Sequence, residues 1–185
     1  MKKVMIVVAC LFMLHGCGYG VRGYQPSINT YKQLEGLAGQ GNVAISVGSI
    51  EFADPGVFES MCRGIAPIVL PGDQPFNAYI RDAIIEELTL ADVYDADSPC
   101  VLHGEIIELS FDSWANAAWR IDVIFTTSSG ESFPVRVVYE FRGGVNPDLA
   151  CQEVATTFRD AVQQFITKLV KNEKFIQFAT HCNAG

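Results

Sequence analysis

The sequence predicts an α+β domain in which two amphipathic helices pack on one face of a four-stranded sheet, in the order β-α-β-β-β-α. Three observations predict it. Apolar residues recur at helical spacing over residues 76–91 and again over 151–169, and each set forms one apolar stripe. Two neighbouring segments, 119–127 and 133–141, instead alternate with a period of two and are joined by Ser128-Ser129-Gly130, the pattern of a hairpin with one dry and one wet face. Helices with a single apolar stripe and strands with a single apolar face close most economically as two layers.

Taken in order, the domain opens at Val43-Ala44-Ile45-Ser46-Val47, an alternating strand with Val43, Ile45 and Val47 inward and Gly48 a candidate bulge before Ile50 and Phe52. Residues 53–72 form an insertion punctuated by Asp54-Pro55-Gly56, Pro67 and Pro71. Its prolines suit a loop or a short edge strand, not an interior strand. Loops on a rigid scaffold usually carry recognition, so this insertion is the expected place for partner contacts. Asp73 offers an N-cap and Pro75 fits a first helical turn, leading into the stripe Phe76, Tyr79, Ile80, Ala83, Ile84, Leu88 and Ala91. Arg81, Asp82, Glu86 and Glu87 lie on the other side and read as a solvated face. Glu86 and Glu87 point about 100° apart on a helix, a poor arrangement for an acid/base pair.

The next strand, 101–111, is less regular: His103, Glu105, Ile107, Leu109 and Phe111 share a face by parity. His103 with Glu105 is read as structural, because acid/base or metal chemistry needs a third partner and none stands at a meaningful spacing. In the hairpin, Trp119, Ile121, Val123 and Phe125 face inward with Phe133, Val135, Val137, Tyr139 and Phe141. Arg120, Asp122, Arg136 and Glu140 share the wetter side, where cross-strand charge pairs form. The last element starts at Asn146-Pro147, an N-cap followed by proline at the first position. Its stripe is Cys151, Val154, Phe158, Ala161, Val162, Phe165 and Leu169, and Lys168, Lys171 and Lys174 complement the negative end of its dipole.

Ahead of the domain, Lys2 and Lys3 precede an apolar run from Val4 to Leu14 that ends in Leu14-His15-Gly16-Cys17. A charged start, a short apolar core and a small residue before the cut define an export signal, and a cysteine after the cut becomes a lipid-bearing N-terminus. Residues 1–16 are therefore read as a lipoprotein signal peptide and Cys17 as the lipidation site. The run is too short for a bilayer span, which takes about 18–20 apolar residues. Cys10 follows Val7-Val8-Ala9, which as a tetrapeptide fits the lipobox better than the Cys17 site with its unusual His15, but a cut there leaves an apolar core of about six residues, below the 7–15 a signal needs. Gly18 replaces the Asp that would hold a lipoprotein in the inner membrane, which points to the outer one. Residues 17–42 then form the lipidated N-terminus and a glycine-rich flexible tether, with a coil span on the order of 25–30 Å. Residues 43–185 make one domain.

Cleavage before Cys17 leaves 169 residues with 11 Lys and Arg against 21 Asp and Glu, a net charge of −10. Such a surface repels nucleic acid and anionic headgroups, so the acyl chains must hold the protein to its membrane, several of them because one gives only marginal binding. Four further cysteines remain: Cys62, Cys100, Cys151 and Cys182. In an oxidising compartment an even number suggests disulfides. Cys62 with Cys151 is the favoured candidate disulfide, one in a Gly/Pro-bounded loop and the other in the first turn of a helix; Cys100 and Cys182 pair or stay buried. The alternative is four buried thiols acting as small hydrophobes. No Cys-x-x-Cys occurs and His181-Cys182 sits near the chain end, so neither a metal site nor a cofactor is expected.

The lipobox, the glycine-rich tether and the β-α-β-β-β-α order, over about residues 17–175, resemble small outer-membrane lipoproteins of the YajG type, the LPS-assembly lipoprotein LptE and the auxiliary lipoproteins of ABC-type transporters. Only the lipidated Cys17 carries over residue by residue, and the 53–72 insertion and the cysteine set depart from the pattern. The resemblance implies a non-enzymatic binding or assembly partner of an envelope protein complex, held to the membrane by its lipid and facing the periplasm. Two other classes stay open. One is an inhibitor or immunity lipoprotein whose acidic surface blocks a basic toxin or hydrolase. The other is a periplasmic hydrolase, against which stand the two histidines left after cleavage, His103 and His181, and the lack of a Gly-x-Ser-x-Gly elbow, a His-x-x-x-His or a paired-carboxylate motif.

Overall fold

A computed structural model describes residues 18–39, 41, 43–56 and 58–182; the signal segment and Cys17 lie outside the described residues. In chain order the elements are β1 (Tyr19–Gly20), α1 (Ile28–Ala38), β2 (Ser46–Phe52), β3 (Met61–Cys62), β4 (Ala66–Val69), α2 (Phe76–Leu90), β5 (Val101–Asp112), β6 (Ala118–Thr127), β7 (Ser132–Glu140), α3 (Pro147–Val170) and α4 (Glu173–His181), with a 3-10 turn at Pro71–Asp73. The class is α+β, as the periodicities predict. The main sheet runs β2-β5-β6-β7, with β2 parallel to β5 and the other neighbours antiparallel. A parallel pair needs a crossover connection, and α2 supplies it between β2 and β5. Both long helices cover the same sheet face, because the Trp119 ring of β6 meets Phe76 of α2 and Phe158 of α3, with centroids 6.4 and 4.6 Å away.

The inward residues of the hairpin from Trp119 to Val137 are buried, as are all seven stripe residues of α2 and all seven of α3. Each fully buried Leu, Ile or Phe among them contributes roughly 1.5–3 kcal/mol. The bulge in β2 falls between Val47 and Ile50, where the register against β5 shifts. The His103 ring packs over Gly48, where a Cβ would come within 2.3 Å of it and turn the exposed ring aside. The parity read for β5 does not hold along its length. A second register shift between Ile106 and Glu108 inserts one residue and exchanges the faces. Leu102 and Ile106 point inward before it and Leu109 after it, while His103, Glu105 and Ile107 are exposed.

Three further readings are corrected. Of the segment read as a flexible tether, residues 18–38 are folded onto the domain. β1 pairs with β4, and α1 buries Thr30, Leu34 and Leu37. The glycines there disguise a short amphipathic stretch whose burial outweighs the entropy of ordering it. Second, Glu87 does not belong to a solvated face: it is 0% exposed, because the incoming segment covers it. Its Oε1 accepts hydrogen bonds from the Tyr24 hydroxyl at 2.6 Å and the Ser27 N–H at 2.7 Å. Third, Asp73 does not cap α2, whose N-cap is Pro75; Asp73 sits at φ +55° in the preceding 3-10 turn.

The insertion folds as a small sheet of order β1-β4-β3. Cys62 of β3 is bonded to Cys151 near the start of α3, 89 residues on, and Cys100 ahead of β5 to Cys182 after α4, 82 residues on. Closing loops of that size stabilises by up to about 4–5 kcal/mol each in the chain-entropy account. Two disulfides fit an oxidising compartment such as the periplasm or the cell exterior. No helix among the described residues is long and apolar enough to cross a membrane.

Candidate functional site

Unpaired strand edges invite strand addition, and here the chain's own side chains occupy several carbonyls along the two edges of the main sheet. On β2, Arg81 donates from Nε to the Gly48 carbonyl at 2.8 Å and from Nη2 to the Val47 carbonyl at 3.1 Å, and Asn77 donates to the Ile50 carbonyl at 3.0 Å. On β7, Lys168 donates to the Arg136 carbonyl at 2.6 Å, and Pro134 has no N–H to offer. Arg81 and Lys168, read from the sequence as a solvated charge and a dipole partner, thus serve as edge caps.

The densest arrangement of exposed and fixed side chains surrounds Arg63, at the tip of the β3–β4 hairpin. Arg63 holds φ +51° and Gly64 φ +68°; the left-handed conformation of Arg63 costs about 1–2 kcal/mol. Four hydrogen bonds offset it. Arg63 donates from Nε to Ser113 Oγ at 2.9 Å, from Nη2 to the carbonyls of Ser113 and Gly144 at 2.7 Å each, and from Nη1 to the Val145 carbonyl at 3.3 Å. One guanidinium therefore ties the insertion to the β5–β6 turn and to the β7–α3 linker. Its carbon also lies 3.9 Å from the centroid of the Trp114 ring, a cation–π contact. Asp112 fixes the turn by accepting the Trp114 N–H at 2.7 Å. Gly143 allows the linker to close, since a Cβ there would fall 1.6 Å from the Trp114 carbonyl oxygen.

The clamp holds a set of large apolar side chains in solvent. Trp114 is 59% exposed, Val145 88%, Leu149 63%, Ile65 50% and Met61 41%. Beside them a cleft of about 480 Å³ is lined by Met61, Arg63, Phe111, Asp112, Trp114 and Arg120. A rigid Trp–Arg pair ringed by aliphatic side chains is the composition of an interaction hot spot.

A second open surface is the outer face of the main sheet, where Ile107, Ile124 and Val138 are 43%, 36% and 50% exposed. Of the four charged residues read onto this side, Asp122 and Arg136 pair, with Arg136 Nε 2.9 Å from Asp122 Oδ2. The Asp122 side chain is 7% exposed and the Arg136 side chain 70%. Arg120 lines the Trp114 cleft instead, and Glu140 stands opposite Ala118.

The remaining sequence-nominated residues are dispersed. His103 hydrogen-bonds Ser49 at 3.3 Å, His181 contacts the Gln177 carbonyl of its own helix, and among the described residues no three His, Cys, Asp or Glu could hold a metal ion. Burial raises the carboxyl pKa of Glu87, with the Tyr24 and Ser27 hydrogen bonds pulling it back, and burial also raises that of Glu86. The reading of the sequence passed over Arg63, Trp114 and Gly143. The signal for the second was present, as a tryptophan in the turn Asp112-Ser113-Trp114 has no core to enter; the partners of Arg63 lie 50 to 82 residues away and leave no local trace.

No family model matches the chain, and no curated protein does. Its fold is similar to a crystal structure of a Xanthomonas campestris protein of the DUF330 family, 16% identical, covering 89% of this chain and 98% of that one at a TM-score of 0.57. At that identity the likeness is one of fold. An uncharacterised protein is 8% identical with 84% and 98% of the two chains covered at a TM-score of 0.49. A PelC dodecamer from Paraburkholderia phytofirmans is 15% identical with 70% and 87% covered at 0.38. Neither of these two bears on the argument.

Proposed function

We propose that the chain is a lipid-anchored, non-enzymatic lipoprotein of the outer membrane, facing the periplasm, that binds or helps assemble an envelope protein complex through exposed faces and loops. The observation that carries this reading is the contrast between closed edges and open faces. Arg81, Asn77 and Lys168 occupy edge carbonyls, while the outer sheet face leaves Ile107, Ile124 and Val138 in solvent. Aliphatic residues around an ion pair whose Asp122 is buried and whose Arg136 is exposed suit a partner that covers the face and excludes water. The lipobox at Cys17 and the architectural resemblance to LPS-assembly and transporter-auxiliary lipoproteins support the envelope as its place of work. The net charge of −10 after cleavage favours a second reading, an inhibitor or immunity lipoprotein that captures a basic protein by charge complementarity.

The test is in-cell photo-crosslinking from Val138 and Ile124, in the wild type and in Cys17→Ser. The proposed function predicts capture of one envelope protein in the membrane fraction and loss of that capture when Cys17 is replaced. Capture of a small basic protein, released by salt, supports the inhibitor reading. Absence of any crosslink from either position contradicts both.

A further inference from the structure

We infer that the Arg63–Trp114 end of the domain is a bilayer-docking surface, seated in the headgroup layer of the membrane that holds the chain; this rests on the lipid-anchor reading of Cys17. The described chain begins beside this end of the domain. β1 runs parallel to β4 in the register Tyr19 to Ile68 and Gly20 to Val69, which sets Gly18 beside Pro67, one residue from the start of β4 and at the end where the Arg63-Gly64-Ile65 turn lies. The small sheet has the order β1-β4-β3 and pairs Pro67 with Met61. With strands about 4.8 Å apart, Gly18 stands about 10 Å from Met61. A lipid on the residue before Gly18 therefore brings the membrane to this end of the molecule.

The side chains at this end suit that position. Trp114, Val145, Leu149, Ile65 and Met61 are all more than two-fifths exposed. An indole prefers the membrane–water boundary, where its apolar body and its N–H are both satisfied. Two of the nearby acids are engaged: Asp112 accepts the Trp114 N–H, and Asp148 accepts the Tyr19 hydroxyl at 2.8 Å. Arg142 is exposed at this end and can meet a phosphate, whereas the Arg63 guanidinium is held within the clamp. Glu59 and Glu153 border the two clefts of this end and keep the seating shallow. Acyl chains alone leave a domain free to swivel, whereas a second, rigid contact fixes its tilt. β5 is 12 residues long, so the opposite end of the sheet projects about 35 Å into the periplasm. A protein partner at this same end is the competing occupant, and the position of Gly18 favours the bilayer.

The chain has two tryptophans, and Trp119 is 0% exposed, which makes lipid quenching a direct readout. The lipidated protein, purified from membranes, is reconstituted into phosphatidylethanolamine and phosphatidylglycerol vesicles whose acyl chains are brominated close to the headgroup. The expected result is strong quenching of the Trp114 component with Trp119 spared. Trp114→Phe removes the quenched component, and Leu149→Glu with Ile65→Glu weakens quenching while the circular dichroism is unchanged. Unquenched Trp114 in protein that is lipidated and vesicle-bound overturns the docking surface and leaves the anchor standing. Unmodified Cys17 in the intact mass of the same sample overturns the anchor and the orientation built on it.

Discussion

At one end of β5, Cys100 is bonded to Cys182 behind a polar rim of Ser128, Ser129, Glu131, Gln177 and His181; at the other, Cys62 is bonded to Cys151 beneath exposed Met61, Ile65, Trp114, Val145 and Leu149. At both ends a disulfide closes more than 80 residues, Cys62–Cys151 joining β3 to α3 and Cys100–Cys182 joining the residues that precede β5 and follow α4. Crosslinking therefore cannot be why one end is apolar. Nor can the core, which is complete without these side chains. Exposed apolar clusters of this kind mark interaction surfaces, and the clamp of Arg63 and Gly143 shows that the cluster is held in a fixed shape. The polar end is finished as ordinary protein surface, with Lys174 paired to Glu131.

The contrast breaks most readily at Gly143. Gly143→Ala forces a Cβ against the Trp114 carbonyl, and a backbone clash of that kind is expected to cost more than about 3 kcal/mol. Gly144→Ala, where nothing lies within 4 Å, is expected to stay within about 0.5 kcal/mol of the parent; urea denaturation of the two variants checks both. Removing either disulfide by paired Cys→Ser substitution should cost about 2–4 kcal/mol. Only the loss of Cys62–Cys151 should loosen the apolar end, seen as faster amide exchange over residues 58–70 and a red shift of Trp114 emission.

Glu87 tests how firmly the N-terminal segment is held. Glu87→Ala leaves the Tyr24 hydroxyl and Ser27 N–H without their acceptor and should cost about 1–3 kcal/mol. Burial raises its folded pKa above the ordinary carboxyl value, so the folded state binds this proton more tightly than the unfolded chain. The corresponding stability is present in full below the ordinary value and is lost as pH rises through the raised one. Glu87→Gln should therefore flatten the decline that sets in above the ordinary carboxyl value of about 4.3, as thermal melts over a pH series would show. The smallest effect is expected at the edges: Arg81→Ala and Lys168→Ala should each cost about 0.5–1.5 kcal/mol. Their clearer consequence is self-association through freed carbonyls, measured by light scattering.

How much of this was legible in the sequence follows from the range of the interactions. The hairpin and the stripes of α2 and α3 are written in local period, and all could be read. The Cys62–Cys151 pairing, favoured from a loop and a helix start, is present, and so is Cys100–Cys182, which the sequence leaves open between pairing and burial. The face of β5 could not be read past Ile106, because a bulge leaves no mark in the alternation it shifts. The N-terminal segment and α4 are short, and their apolar residues, Leu34 and Leu37 in one and Phe175, Phe178 and Ala179 in the other, become meaningful only against neighbours far along the chain. The Arg63 clamp is wholly of this long-range kind. The insertion was the expected place for partner contacts, and residues from its middle do build the apolar end, but two of the three segments involved came from elsewhere.

Amide hydrogen exchange on the membrane-purified protein, bound to vesicles and compared with the Cys17→Ser variant, tests most directly that the two ends differ in function. The account predicts slowed exchange at residues 61–66, 113–117 and 142–149 on the membrane and no change at 127–132 and 173–182. Equal exchange in the two forms at the apolar end, or protection of the polar end instead, would contradict it.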